Sequence, residues 1–60
     1  MSELTARAIE MTRCGFSPSE ATAFVVMGRS VSPQAIQRIE SLCVADQIRC
    51  RRESAARRTA

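Results

Sequence analysis

Apolar positions recur at helical spacing in three stretches of this chain, and two corners of nearly the same composition separate them. In the first stretch Leu4, Ala8 and Met11 stand four and three residues apart and form one stripe, with Thr5, Glu10 and Arg13 falling largely elsewhere. In the second, Ala21, Ala23, Phe24, Val25, Val26 and Met27 set apolar groups all around a helical axis, the pattern of a helix buried on more than one side. In the third, Ala35, Ile36, Ile39, Leu42, Cys43 and Cys50 share one broad face, while Val44 and Ile48 make a second, narrower stripe. The β-branched pair Val25-Val26 would suit a strand, but both ends of its segment carry helix punctuation and no second strand exists to pair with it.

The punctuation is specific. Phe16-Ser17-Pro18-Ser19 and Val31-Ser32-Pro33-Gln34 each put a side-chain acceptor immediately before a proline. A serine hydroxyl caps an orphan backbone N–H, and proline at the first helical position has φ already set and no N–H to leave unpaired. Ser17 and Glu20 fit a capping box, and Val31 with Ile36 has the spacing of a hydrophobic staple. Gly15 and Gly28 stand where the preceding segments should stop, and a Schellman ending at Gly15 would fold Phe16 back on Met11. The expected fold is therefore a compact all-α, three-helix domain. Its helices cover about residues 2–14, 18–27 and 33 onwards, the last being the longest. Residues 1–52 form the domain, and 53–60 a basic tail that is either an exposed helical extension or disordered.

Sixty residues allow a single domain. Such a chain buries only about 60% of the surface it exposes when unfolded, so self-association, most simply as a homodimer, is expected. With two phenylalanines and no Trp or Tyr, Leu, Ile, Val and Met must do the packing.

Net charge is +3, unevenly spread. From residue 49 onwards five arginines (Arg49, Arg51, Arg52, Arg57, Arg58) face the single acid Glu53, whereas residues 1–48 hold four arginines against five acids. The basic end suits a phosphate backbone, an anionic membrane surface or an acidic protein, or is simply a solvated helix end. No stretch approaches the roughly 20 apolar residues of a membrane span, and the N-terminal residues, with Glu3 and Glu10, do not read as a signal peptide.

Three cysteines (Cys14, Cys43, Cys50) and no histidine argue against a structural zinc site, which wants four ligands at short spacings. Cys43 and Cys50 lie two turns apart on one helix, too far for a disulfide. Buried or half-buried reduced thiols, in an intracellular, cytoplasmic protein, are expected. Catalysis is not: there is no Gly-rich phosphate loop, no paired carboxylates beside a nucleophile, and no base near any cysteine. No cofactor is expected.

The run Ser17-Pro18-Ser19-Glu20-Ala21-Thr22-Ala23-Phe24, followed by Val31-Ser32-Pro33-Gln34-Ala35-Ile36-Gln37-Arg38-Ile39-Glu40, resembles the helix-turn-helix of small bacterial and phage regulators and excisionases. The resemblance covers about residues 15–41 and implies that the third helix enters the major groove of DNA. With Ile36 and Ile39 turned to the core, Gln34, Gln37, Arg38 and Ser41, beside the cap Ser32, are left for base edges, where Gln pairs with adenine and Arg with guanine. Arg29, Arg49, Arg51 and Arg52 would then meet phosphates. A second resemblance is to ubiquitin-associated three-helix domains, carried by Cys14-Gly15-Phe16-Ser17, Glu20-Ala21, Ala35-Ile36 and Ile39. It implies a protein-binding module. Apart from that resemblance, a compact adaptor or small inhibitor of phage or plasmid type would dock an exposed apolar face onto a larger protein through Val25, Met27, Val44 and Ile48, and the same residues suit a homodimer seam. The expectation is a small non-enzymatic DNA-binding transcriptional regulator, with the protein-interaction module as its alternative.

Overall fold

Each corner starts a helix by the mechanism its residues dictate. In the computed structural model, which describes residues 2–59 and side chains through residue 57, three helices and no strand occur: α1 (Glu3–Arg13), α2 (Pro18–Val26) and α3 (Pro33–Thr59). The protein is an all-α, three-helix domain. Ser2 Oγ accepts from the Thr5 N–H at 3.2 Å and caps α1. At α2 the capping box is complete: Glu20 N–H donates to Ser17 Oγ at 3.2 Å and Ser17 N–H to Glu20 Oε1 at 3.3 Å. At α3, Ser32 Oγ accepts from Ala35 N–H at 3.2 Å.

The stop signals act as expected. The Phe16 N–H donates to the Met11 carbonyl and the Gly15 N–H to the Thr12 carbonyl, both at 3.2 Å, which is the Schellman pair. Gly15 takes φ +111°, a conformation a side chain would strain. Gly28, at φ +74°, turns the link of residues 27–32, where Arg29 N–H reaches the Val26 carbonyl at 3.0 Å.

All three helices pack on one another around a small core of Ala8, Ile9, Ala21, Val25, Ile39 and Cys43, with Leu4, Met11 and Val26 against its edge. Several expectations change here. The buried face of α1 is Thr5, Ala8, Ile9 and Thr12, rotated from the Leu4–Ala8–Met11 stripe. Threonine can occupy it because its hydroxyl is satisfied locally: Thr12 Oγ1 donates to the Ile9 carbonyl at 2.7 Å, and Thr5 Oγ1 bonds Ser2 Oγ at 2.8 Å. Thr22, also buried, donates to the Pro18 carbonyl at 2.7 Å.

Helix α2 is not buried all round. It turns Ala21, Thr22 and Val25 inward and leaves Phe24 53% and Met27 69% exposed, since two neighbours cover only one side of so short a helix. Val25 is thus a core residue and not part of a contact surface. Leu42, expected in the core, is exposed beside a groove, and Cys14, expected half-buried, is exposed.

Helix α3 has 27 residues, about 40 Å at 1.5 Å per residue, and gives the molecule extents of 45 × 19 × 16 Å. Its helical backbone runs on through the expected tail, whose described side chains, residues 53–57, are exposed; the Arg58 side chain lies outside the described residues. Inward and outward faces of α3 differ sharply in what they hold. Ile39→Ala is expected to cost about 2–5 kcal/mol by leaving a cavity, whereas Ile48→Ala, on the far face, should change the stability of the dilute single chain by no more than about 0.5 kcal/mol. Urea midpoints of the two variants check this, and equal losses would reverse the assignment of faces.

Candidate functional site

Three features of α3 bear on function: a buried carboxylate, a groove against α1, and an open outer face. The carboxylate is Asp46, whose side chain is only 5% exposed. Its position is set by the inward stripe Ile39, Cys43, Asp46, Cys50, spaced four, three and four, so the helix carries a charge into the place of an apolar residue. Arg13, the last residue of α1, meets it with two bonds, Nη2 to Oδ1 at 2.9 Å and Nε to Oδ2 at 3.2 Å. Arg49 Nη2 adds a third, to Oδ1 at 2.9 Å, from the next turn of α3. The Cys50 thiol faces Oδ2 at 3.8 Å.

A buried charge is tolerated only when paired in this way. The Arg13 hydrogen bond is the main influence holding the Asp46 carboxyl below its ordinary value, against burial, which acts the other way; the charges of Arg13 and Arg49 assist. The same bond raises the Arg13 guanidinium. Burial pushes the Cys43 thiol up, so it is a packed sulfhydryl and not an activated one. This arrangement joins α1 to α3.

The groove, about 620 Å³, lies where the starts of α1 and α3 come together. Leu4, Val31, Ala35, Ile39 and Leu42 form its floor and walls, with Ser32, Gln34 and Arg38 at its polar side. On the outer face of α3, Gln37, Glu40, Ser41 and Val44 line a shallower, open hollow of about 390 Å³.

The sequence-derived contact residues distribute over these features. Ser32, Gln34 and Arg38 gather at the groove; Gln37, Ser41 and Val44 gather at the hollow. Gln34, Arg38, Ser41, Arg49 and Arg52 are exposed, as are Gln37 and Arg51. Arg49 also serves Asp46, so part of its hydrogen-bonding capacity is already used. Arg29, exposed in the link, lines neither the groove nor the hollow. Val44 and Ile48 stand 41% and 45% exposed, and Met27, the C-cap residue after α2, is exposed as well. Among the described residues, no three His, Cys, Asp or Glu side chains gather as a metal-ligand set, and no helix is long and apolar enough to cross a membrane.

Sequence reasoning missed Asp46 and Arg13. The signal for Asp46 was present in its register with Ile39, Cys43 and Cys50; nothing in the local sequence names Arg13 as its partner.

The clasp makes acid stability diagnostic. Because Asp46 titrates lower in the folded chain than its unfolded value of about 3.9, the unfolded chain binds the extra proton between those two values. Its contribution is therefore complete above that unfolded value and is lost as pH falls through the folded one. Asp46→Asn should flatten this acid limb in urea unfolding measured from roughly pH 2 to 6. Arg13→Ala should lower Tm more than Arg49→Ala, because only Arg13 links two helices. An unchanged acid limb in Asp46→Asn would overturn the assignment.

Compared with protein-family models, curated proteins and solved structures, the chain matches none of them, so its functional reading rests on its own residues and geometry.

Proposed function

We propose that this protein is a small, non-enzymatic, DNA-binding transcriptional regulator of helix-turn-helix type that lays one flank of α3 into the major groove. The observation that carries the reading is a continuous strip along that flank: Gln34, Arg38, Ser41, Ala45, Arg49 and Arg52, at spacings of four, three, four, four and three. All are exposed and none of these positions is an acid; Glu40 falls on another side of the helix, while Asp46 and Glu53 lie one turn from Arg49, which bonds Asp46 at 2.9 Å. Such a strip has amide and guanidinium donors at its start, where bases are read, and cations further on, where phosphates run. The Ser32 cap fixes the backbone from which Gln34 and Arg38 project. Arg29, exposed in the link before α3, serves as a further phosphate contact. Pairing of two copies, suited to a two-fold operator, belongs to the same reading, as does a cytoplasmic location.

A second reading, a protein-interaction or inhibitor module, is favoured by one observation on α2. Phe16 and Phe24 pack edge to face with ring centres 5.7 Å apart, and Met27, one turn on from Phe24, extends this exposed apolar patch.

Mobility shifts on fragments flanking the protein's own coding region separate the two. A DNA binder loses affinity steeply and linearly in log salt. Arg38→Ala should relax preference at one base position by about 1–3 kcal/mol, while Arg52→Ala should weaken all sequences alike and reduce the salt slope by about one. Absent or salt-independent binding would reject the regulator. If so, Phe24→Ser with Met27→Ser should abolish retention of a protein partner by the otherwise folded chain, and retained binding would reject the α2 patch.

A further inference from the structure

The outer face of α3 is open and carries a shallow depression between its own side chains. Gln37, Glu40, Ser41 and Val44, which line it, stand at i, i+3, i+4 and i+7. Four residues in that relation form the socket into which a knob from a facing helix packs in coiled-coil geometry. One turn beyond the socket the same helix carries a knob of the right kind, Ile48, exposed and aligned with Val44. This face lies opposite Ile39, Cys43 and Asp46, so α1 and α2 leave it open.

Charge chooses both the occupant and the direction. Glu40 edges the socket, and Arg51 follows Ile48 by one turn on the same flank; among the described residues neither makes an ion pair within its own chain. When two α3 helices run antiparallel with the two-fold axis near Val44, Ile48 of each copy enters the socket of the other. Arg51 of each then comes beside Gln37 and within side-chain reach of Glu40 of the other. A parallel pairing would instead set Arg51 and Arg52 of one copy against the same residues of the next. We infer that the chain forms an antiparallel, isologous homodimer through the outer face of α3, with Ile48 as knob, the Gln37–Val44 hollow as socket and Glu40–Arg51 as the pair that sets direction.

The inference goes beyond the DNA reading and stands without it. It also adds something to that reading. A two-fold axis perpendicular to both helices returns each flank to the same side, so the Gln34–Arg52 strips of the two copies lie together on one face of the dimer. Glu40 and its Arg51 partner lie on the opposite face.

Sedimentation equilibrium of the full chain, without nucleic acid and at low salt, tests this from about 1 μM to 1 mM. The wild type should move from monomer towards dimer mass with rising concentration. Ile48→Glu should stay monomeric with unchanged helical circular dichroism, since Ile48 is outside the core. Glu40→Arg and Arg51→Glu should each weaken association by about three- to tenfold, and the double swap should restore it. Wild-type monomer at every concentration, undiminished association of Ile48→Glu, or a double swap no better than the single changes would each overturn the proposal.

Discussion

A helix of 27 residues laid across two of 11 and 9 has far more surface than its neighbours can cover, and this mismatch governs the rest of the molecule. Among the described side chains of α3, only Ile39, Cys43 and Asp46 are buried. Ala35, Ile36, Gln47 and Cys50 are half-buried beside them, and the exposed side chains beyond sort into a polar, basic flank and a drier outer stripe. The core that opposes chain entropy is correspondingly small, with alanines and threonines filling positions that leucine and isoleucine hold in larger domains. Local devices therefore carry an unusual share of the definition of structure: three serine caps, a Schellman turn, and hydroxyls that return to their own backbone.

Asp46 is the exception to that local economy. It is the residue through which the end of α1 is held to the middle of α3, by a forked guanidinium whose two bonds fix orientation as well as distance. Apolar contacts among alanines are weakly directional. A bidentate ion pair is directional, and it ties the end of α1 to one position on α3.

The helix starts were legible because their chemistry is local: Ser-Pro corners and a Ser17–Glu20 box act within four residues, and they appear in space as the chain order implies. Faces were less legible. The α1 stripe came out rotated because Thr5 and Thr12 read as polar, although a threonine that bonds its own turn presents mainly a methyl group to the core. Helix α2 read as buried all round because composition cannot tell how many neighbours a helix will have. Val25 was placed on a contact surface for that reason and lies in the core. Of the candidate site, the exposed flank of α3 followed from its period; the Arg13 clasp did not, since it joins residues 33 apart in sequence.

Ala8 and Ala21, both without any exposed surface, sit where α1 and α2 share the core. Side chains that end at the first carbon leave no room to spare where they are wholly covered, so these two positions are set by the backbones around them. Room for sequence drift is accordingly unequal along the chain. The exposed helical extension tolerates nearly any hydrophilic replacement, while at these two alanines even one added methyl would act as a wedge and spread the scaffold on which the long helix rests.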